Sequence, residues 1–548
     1  MKKAGISMKV HQAIARALID NGIDTLFGLL GDANLFMLRS FAEEHNGRFV
    51  SAANEAGATL MAIGYSTTSG KPGVVSVTHG PGMTNALTAL VEGVKAQVPL
   101  LFLCGDTPAG DKDHFQNVSQ REFIIATGAG FEQLRSPDTV ARDLATALRR
   151  AVLERRPVAL NMPADYEWQD TVYEEVIEKF HDYRPGVREN ADLDDAVGII
   201  ASARSPIVLA GRGAAAPEAE AALKKLAERV GGLLATTLKG RGLFKDDEFN
   251  LGVFGTLSTP AAGELIAQSD CVISFGASLN KFTSAKGSYL QGKRVIQCNL
   301  VPAWVGAGIT PAAGLIGDPA HIAETLMYWL DEAEIPASGF RNEDVRQHLA
   351  KQNPFADLPD TSTAETVDLT RSLLRLNEVI AEDRIFVCDV GRYVGQAWKA
   401  IDVAHPSAYV HTVHYGSIGL GLPCGIGASV AFPDRPVLVV TGDGGFMLGG
   451  LAEFQTAVRC NADLIVVVCN DGGYGAEHVQ YVARDLTPAL SLFDWPEFAS
   501  VAEALGGSGI AVRNQSDLES ACDAIAHRTG PLLIDLKLDP ERMIALDY

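Results

Sequence analysis

The chain has 548 residues, 47% hydrophobic and 21% charged, which is typical of a globular protein with more than one hydrophobic core. A formal net charge of −21 makes nucleic acid and anionic membranes poor partners, and no apolar run reaches the length of a membrane-spanning helix. We expect no signal peptide, and the eight scattered cysteines, which include no C-x-x-C pair, favour a reduced, cytoplasmic location.

The first third of the chain alternates helix-like and strand-like segments. Apolar residues recur at helical spacing over residues 9–21, which predicts an amphipathic helix. Short apolar runs predict strands at 25–28, 48–52, 73–78 and 99–105. Glycine-containing turns follow two of them, at 29–34 and 79–82. This alternation predicts a doubly wound α/β domain with a mostly parallel sheet over residues 1–182.

The middle of the chain repeats this alternation after a polar stretch at 181–192, which we interpret as a linker. The predicted strand at 206–210 runs into Gly211-Arg212-Gly213-Ala214-Ala215-Ala216 and then a helix, the order of a dinucleotide-binding fingerprint. The next predicted strand, 232–237, lacks the acidic residue at its end that would bind a ribose. We therefore expect a Rossmann-like scaffold over residues 190–340, with FAD binding as the less favoured alternative.

A third α/β domain is predicted for residues 362–548, after a second polar stretch at 340–365 that we interpret as a linker. Its centre is a strand, helix, strand pattern in which Asp443 and Asp471 stand in the turns after the two strands. Both turns of a βαβ crossover lie at one edge of the sheet, so the two carboxylates should converge near a helix N-terminus. Such a site suits Mg²⁺ and a pyrophosphate, although the same pattern fits an ordinary βαβ unit with capped turns.

The sequence Gly442-Asp443-Gly444, the 25 residues from 445 to 469 and the following Asn470-Asp471 closely resemble the signature of thiamine-diphosphate-dependent enzymes. The resemblance implies thiamine diphosphate and Mg²⁺ as cofactors, with Asp443, Asp471 and the Gly473 backbone as metal ligands. That signature usually ends Asn-Asn, so Asp471 adds a negative charge but keeps an oxygen ligand. Further cofactor contacts are implied for Gly391, Ile418, Gly442, Gly444, Gly445 and Tyr474. The resemblance places Ile418 between the two rings of the cofactor, whereas the sequence alone favours plain core packing for it.

The first domain resembles the pyrimidine-binding domain of the same family, because Asn54-Glu55-Ala56-Gly57 and Gly80-Pro81-Gly82 follow in the family's order. The resemblance implies that Glu55 hydrogen-bonds N1′ of the aminopyrimidine. A carboxyl group there protonates N1′, which makes the 4′-nitrogen basic enough to remove the C2 proton of the thiazolium. Apart from the resemblance, Glu55 could be a carboxylate placed at a helix N-terminus by the helix dipole.

Four further residues bear on which reaction the chain catalyses. The turn at Asp32 and the segment carrying Glu477 resemble those that place two acids in pyruvate and indolepyruvate decarboxylases. A carboxyl group near the bound intermediate can protonate it after loss of CO₂ and release an aldehyde. Gln116 instead matches a glutamine of synthases and lyases, and His79 is predicted to face the substrate. Their structural alternatives are a helix cap for Asp32, a surface acid for Glu477 and turn packing for His79.

Taken over nearly the whole chain, the resemblance implies a lyase or carboligase acting on a 2-oxo acid or a related ketone. The nearest patterns are the acetolactate synthases and the simple 2-oxo acid decarboxylases, with decarboxylation as the expected entry step. The family's sites lie between subunits, so a homodimer or homotetramer is expected. The alternatives are an FAD-dependent oxidoreductase resembling pyruvate oxidase and a non-catalytic paralogue that binds cofactor, against which Glu55 argues.

Overall fold

The computed structural model describes residues 5–181, 184–351, 353–356 and 358–543, which form two compact units. The first unit combines the two ends of the chain and contains two six-stranded sheets. The second unit holds the middle of the chain and contains the third six-stranded sheet. The predicted fold class, three doubly wound parallel-sheet domains, is confirmed.

The amino-terminal sheet has the strand order β3-β2-β4-β5-β7-β6, and a separate antiparallel pair joins β1 to β8. The strands are β1 (Ile6–Lys9), β2 (Thr25–Gly28), β3 (Arg48–Ser51), β4 (Gly73–Val77), β5 (Leu100–Asp106), β6 (Gly130–Gln133), β7 (Pro157–Pro163) and β8 (Asp170–Tyr173). The helices are α1 (Val10–Asp20), α2 (Leu35–Arg39), α3 (Glu55–Ser69), α4 (Pro81–Asn85), α5 (Leu87–Ala96), α6 (Gln120–Ala126) and α7 (Val140–Glu154). Their loops place the predicted substrate-facing residues at the carboxyl ends of β2 and β4.

The start of α3 is fixed by its cap. Asn54 has an extended backbone, and its side chain accepts a hydrogen bond of 2.7 Å from the backbone nitrogen of Gly57. Glu55 is therefore the first helical residue, where a carboxylate is favoured by the helix dipole. The helix ends at Gly70, which adopts a left-handed conformation.

The middle sheet has the order β11-β10-β9-β12-β13-β14, with all pairs parallel. Its strands are β9 (Pro206–Ala210), β10 (Leu233–Thr236), β11 (Asn250–Val253), β12 (Cys271–Phe275), β13 (Arg294–Asn299) and β14 (Ala313–Ile316). Its helices are α8 (Ala191–Ser202), α9 (Pro217–Val230), α10 (Pro260–Gln268), α11 (Pro319–Glu332) and α12 (Glu343–Ala350). This strand order is that of dinucleotide-binding Rossmann domains.

Helix α12 corrects the prediction that residues 340–365 form a polar linker. Asn342 caps this helix, which buries Val345 and Leu349 in the apolar core of the second unit. These two apolar residues are one helical turn apart, so they share a face despite the polar composition of the stretch.

The carboxyl-terminal sheet has the order β16-β15-β17-β18-β20-β19. Its strands are β15 (Ile385–Cys388), β16 (Tyr409–His411), β17 (Val437–Gly442), β18 (Leu464–Asn470), β19 (Ser508–Val512) and β20 (Leu532–Lys537). Its helices are α13 (Leu369–Val379), α14 (Val394–Ala400), α15 (Gly421–Ala431), α16 (Asp443–Gly445), α17 (Leu451–Arg459), α18 (Gly475–Val482), α19 (Phe498–Ala504) and α20 (Gln515–His527). Counted along its own domain, this sheet repeats the strand order of the amino-terminal sheet.

The two sheet domains of the first unit meet where α3 crosses α15. The helices approach so closely that a Cβ atom on Gly64 would clash with the backbone of Cys424, and one on Gly427 with the backbone of Met61. The apolar residues of both helices belong to one continuous core. Glycine at this crossing therefore allows two domains that are far apart along the chain to pack closely into one unit.

Two buried glutamates, one in each domain, accept hydrogen bonds from the opposite domain at this junction. Glu453 on α17 accepts hydrogen bonds of 3.1 Å from the backbone nitrogens of Ala53 and Asn54, just before α3. Glu92 on α5 accepts one of 2.8 Å from the backbone nitrogen of Tyr415, in the loop before α15. Each domain thus fixes the loop that leads into the other domain's central helix.

Two general features concern the environment of the chain. Among the described residues, no helix combines the length and apolar character needed to cross a membrane. All eight cysteines are free thiols, and seven of them are buried.

Candidate active site

The turns after β17 and β18 bring Asp443 and Asp471 together, as predicted from the βαβ pattern. Asp443 lies at the start of α16, and its Oδ2 accepts hydrogen bonds from the backbone nitrogen of Gly473 at 2.8 Å and from Trp495 Nε1 at 3.0 Å. Burial raises the pKa of Asp443 to about 6, although these donors favour the charged form. Burial, with Asp443 close by, raises the pKa of Asp471 to about 7.

The residues at these turns fit a divalent cation. Asp471 is only 7% exposed, yet its carboxylate accepts no hydrogen bond from another described residue. A buried carboxylate with free oxygen lone pairs is a ready ligand for Mg²⁺, which prefers oxygen donors. No cluster of three or more His, Cys, Asp or Glu side chains able to hold a metal occurs in the described parts of the chain. A metal here would thus rely on these two carboxylates and backbone oxygen, as the Gly473 prediction requires.

The glycines of this region are closely packed. A Cβ atom on Gly444 would lie against the ring of Tyr474, and one on Gly391 or Gly442 against the ring of Tyr393. A Cβ on Gly445 would come within 3.2 Å of both Asp389 and Thr441. The predicted cofactor-binding glycines therefore surround one crowded sheet edge, on which no larger residue fits without rearrangement.

Asp389, which the sequence did not single out, anchors the loop that carries Ile418. Its carboxylate accepts hydrogen bonds from the backbone nitrogen of Gly419 at 2.9 Å and from Thr441 Oγ1 at 3.1 Å. Complete burial raises the pKa of Asp389 to about 6, against several hydrogen bonds that lower it. Ile418 is half-buried at the carboxyl edge of the sheet, so its side chain can still contact a ligand.

Glu55 lies at the first turn of α3 and is 8% exposed. Asn85 Nδ2 donates a hydrogen bond of 3.1 Å to Glu55 Oε2, whereas Oε1 accepts none from the described residues. Gly82 leaves room beside that oxygen, because a Cβ atom there would lie 3.4 Å from it. This buried carboxyl group, held at one oxygen and open at the other, fits a hydrogen bond to a ring nitrogen.

Asp32, Thr78 and His79 meet at the carboxyl ends of β2 and β4. Thr78 Oγ1 donates a hydrogen bond of 2.7 Å to Asp32 Oδ1, and His79 Nε2 lies 3.7 Å from Asp32 Oδ2. Partial burial would raise the pKa of Asp32, but the Thr78 hydroxyl and the nearby His79 lower it overall. Neither ring nitrogen of His79 has a hydrogen-bond partner among the residues that the structure describes, although His79 is 2% exposed. Such an unsatisfied polar group is typical of a binding site.

The loop that carries Gln116 packs against this group. The His79 ring meets the edge of His114 at 5.1 Å between centroids, and the side-chain oxygen of Gln116 is buried without a partner. Gly80 has a φ of +58°, and a Cβ atom there would clash with the carbonyl oxygen of Gln116. Only glycine therefore allows this loop to close on the His79 turn. An open polar cavity of about 300 Å³ adjoins it, lined in part by Asn117 and Gln120.

Glu477 lies on the exposed side of α18, and no contact joins its side chain to the Asp32 group. Tyr474, at the start of that helix, is 38% exposed and packs edge-on against Phe493. The first unit therefore shows two groups of predicted site residues. One surrounds Glu55 and Asp32 in the amino-terminal domain, and the other surrounds Asp443 in the carboxyl-terminal domain.

Glu167 is a further acid that the sequence analysis missed. It follows β7, is 7% exposed and has no hydrogen-bond partner for its carboxyl group among the described residues. Burial, with the nearby Asp32 charge, raises the pKa of Glu167 to about 7. No sequence pattern marks it, whereas Glu453 could have been noticed as an acid within the apolar face of a predicted helix.

Three domain models of one family match this chain in the same order as its three sheets. They are the N-terminal TPP binding domain, the central domain and the C-terminal TPP binding domain of thiamine pyrophosphate enzymes, which match residues 8–126, 193–326 and 389–536. The chain belongs to the thiamine-diphosphate-dependent enzymes. Thiamine diphosphate, also called thiamine pyrophosphate, is therefore the cofactor for which its two terminal domains are built.

Relatives of this thiamine-diphosphate-dependent enzyme carry several activities. The chain is 27% identical to an acetolactate synthase of Mycobacterium bovis, over 96% of this chain and 87% of the relative. It is 28% identical to a probable 2-ketoarginine decarboxylase of Pseudomonas aeruginosa, over 97% and 94%. It is 27% identical to a sulfoacetaldehyde acetyltransferase of Alcaligenes xylosoxydans xylosoxydans, over 94% and 90%. The chain is thus similar over nearly its whole length to a synthase, a decarboxylase and an acetyltransferase of the family.

Proposed function

We propose that this enzyme is a thiamine-diphosphate- and Mg²⁺-dependent C–C bond lyase or carboligase that acts on a 2-oxo acid or a related ketone. Decarboxylation is the proposed entry step. The observation that carries the proposal is the half-satisfied, buried carboxyl group of Glu55, with the Asp443 and Asp471 pair on the second sheet. When bound, thiamine diphosphate supplies the carbon nucleophile that adds to a carbonyl and accepts the electron pair of the broken bond.

Glu55 is proposed to hold a proton at the pyrimidine N1′. Asn85 holds one oxygen of its carboxyl group, which leaves the other directed to a ligand. The exclusion of water around a residue that is 8% exposed strengthens such a hydrogen bond. Asp443 and Asp471 are proposed to hold Mg²⁺ and, through it, the diphosphate.

The residues that would decide the product are His79, Gln116, Asp32 and Glu477. The unpaired nitrogens of His79 and the unpaired oxygen of Gln116 can bind the substrate carboxylate or an acceptor carbonyl. Asp32, whose pKa is lowered, stays ionised and is suited to hold His79 in place through its negative charge. Glu477 is proposed as the proton donor to the product carbon, which would release an aldehyde.

We infer that the complete site forms between two copies of the chain, in a homodimer or a homotetramer. Large hydrophobic side chains are exposed beside both groups of site residues, which favours their burial by another subunit. They are Leu30, Phe115, Val118, Leu448, Leu486 and Leu490. In this proposal Glu55 of one subunit acts on the cofactor held by Asp443 of the partner subunit.

We propose that no flavin is needed. A Cβ atom on Gly211 would clash with the backbone of Gly276, so the glycines of the fingerprint allow close contact between two loops of the middle domain. Strand β10 ends at Thr236 without an acidic residue for a ribose. The absorbance spectrum of the purified active enzyme tests this, since stoichiometric flavin would contradict it.

The experiment that tests the function is product analysis with a panel of 2-oxo acids, with and without an acceptor aldehyde. We expect CO₂ release that depends on both thiamine diphosphate and Mg²⁺. The ratio of aldehyde to 2-hydroxy ketone then separates a decarboxylase from a carboligase. Absence of cofactor-dependent turnover with all 2-oxo acids and ketones tested would contradict the proposal.

A further inference from the structure

The proposed metal site contains a charged residue that neither the sequence pattern nor the ligand set accounts for. Arg392 follows Gly391 after β15, and its Nη1 lies 3.9 Å from Asp471 Oδ2. Both side chains are at least nine-tenths buried, with exposures of 9% and 7%. Gly475 leaves the space in which Arg392 approaches Asp471. A Cβ atom on Gly475 would clash with Asp471 Oδ2 and lie 3.1 Å from Arg392 Cδ.

The guanidinium is held in place from the opposite side. Arg392 Nη1 donates a hydrogen bond of 2.7 Å to the carbonyl oxygen of Pro540, and Nη2 donates one of 2.6 Å to that of Met543. Its Nε is buried and has no hydrogen-bond partner within the described part of the chain. Because two backbone carbonyls fix the group, its positive charge cannot move away from Asp471 without displacing the carboxyl-terminal segment.

The charges at this edge of the sheet explain why a fixed cation is useful. Asp443 and Asp471 lie close together and are 2% and 7% exposed, so their two negative charges repel each other in a site of low polarity. The fixed positive charge of Arg392 beside Asp471 offsets one of these charges. A neutral residue in place of either carboxylate would need no such counter-charge. Among the described residues, the other acid that acts on the charge of Arg392 is Glu541, whose side chain is 62% exposed and contacts His478 Nε2 at 3.0 Å.

We propose that Arg392 is the counter-cation of the metal site. It offsets the charge of Asp471, so that the two carboxylates together carry the net charge of one and bind a divalent cation less tightly than they would without Arg392. Arg392 touches neither metal nor diphosphate in this role and is a positioning residue. The inference rests on the proposed function, because it requires Asp443 and Asp471 to bind Mg²⁺ with thiamine diphosphate.

The test is the dissociation constant of Mg²⁺, measured by calorimetry at a fixed concentration of thiamine diphosphate. The pH should be 8.5, well above the ordinary titration range of carboxyl groups, so that protonation does not compete with the metal. Removing a nearby positive charge with Arg392→Gln should tighten Mg²⁺ binding about tenfold. Asp471→Asn should weaken Mg²⁺ binding. The double variant Asp471→Asn, Arg392→Gln should bind Mg²⁺ about tenfold more tightly than Asp471→Asn alone. This second comparison keeps the test valid if the single Arg392 variant does not fold.

Arg392→Lys is the matched control, since it keeps the charge and loses the paired hydrogen bonds to Pro540 and Met543. We expect its Mg²⁺ dissociation constant to stay within about threefold of that of the wild type. If Arg392 only anchors the carboxyl-terminal segment, Arg392→Gln and Arg392→Lys should both weaken Mg²⁺ binding, which would overturn this inference alone. A wild-type protein that binds neither Mg²⁺ nor thiamine diphosphate would overturn the proposed function as well.

Discussion

Oε1 of Glu453 lies 3.1 Å from the backbone nitrogen of Asn54, the residue immediately before Glu55. The carboxyl-terminal domain thereby fixes the loop that presents the proposed catalytic acid of the amino-terminal domain. Glu453 is completely buried, and burial raises the pKa of its carboxyl group. The hydrogen bonds at the junction between the two domains therefore help to position Glu55.

Glu453→Ala should destabilise the protein by about 2–4 kcal/mol, because it leaves buried backbone donors of Ala53 and Asn54 without an acceptor. It should also weaken thiamine diphosphate binding, since the start of α3 is no longer fixed. Urea unfolding measures the first effect and calorimetry the second. Glu503→Ala, on an exposed face of α19, is the control and should change neither. Equal stability of the two variants would show that the junction does not depend on Glu453.

The raised pKa of Glu167 predicts a pH-dependent penalty on folding. Its pKa is about 7 in the folded protein and 4.5 in the unfolded chain, so the folded state favours the protonated form. The Glu167 carboxyl group therefore does not lower the free energy of unfolding below pH 4.5. The loss of stability grows as the pH rises from 4.5 to 7 and is complete above that range. Glu167→Gln should stabilise the protein at pH 8.5 by about 1–3 kcal/mol and have little effect at pH 4.5.

Denaturant unfolding of Glu167→Gln and the wild type at these two pH values measures this difference. Asp165→Asn is the matched control, because Asp165 is an exposed acid in the same turn. A gain in stability that is the same at both pH values would mean that Glu167 does not change its protonation on folding.

The Gly80 turn offers a comparison between two glycines with positive φ. Gly80→Ala combines a strained backbone with a clash against Gln116, whereas Gly70, with a φ of +72°, has open space around its missing side chain. Gly70→Ala should destabilise the protein by about 1 kcal/mol and Gly80→Ala by about 1–3 kcal/mol more. Thermal or urea unfolding gives the comparison. Equal losses would indicate that the Gln116 loop moves aside freely.

Glu477 is predicted to favour aldehyde over 2-hydroxy ketone as the product. Glu477→Gln should slow proton delivery and lower the ratio of aldehyde to hydroxy ketone about tenfold at a fixed acceptor concentration. Asp485→Asn, an exposed acid just after α18, should leave the ratio unchanged. The same ratio in all three proteins, or a wild type that makes only hydroxy ketone, would remove Glu477 from the mechanism.

Local patterns were sufficient to predict most of the fold and the proximity of the two carboxylates proposed to bind the metal. The βαβ alternation fixes which strand ends share an edge, so the proximity of Asp443 and Asp471 follows from chain order alone. The helix at residues 343–350 was predicted as part of a linker because it is short and mostly polar, with Val345 and Leu349 as its buried residues.

The residues that sequence reasoning missed act over long separations along the chain. Glu453 contacts Asn54 across 399 residues, and Arg392 contacts Met543 across 151. Such contacts depend on how two domains pack, which hydrophobic periodicity does not encode. Glu167 was missed because nothing local distinguishes a buried acid in a turn from an exposed one.

The most direct test of the central claim is the cofactor-dependent turnover of a 2-oxo acid by Glu55→Gln. We expect this variant to fold and to bind thiamine diphosphate with Mg²⁺. Its rate of CO₂ release should fall about 10²- to 10⁴-fold, because N1′ is no longer protonated. Turnover at the wild-type rate in the purified, cofactor-loaded Glu55→Gln protein would contradict the account.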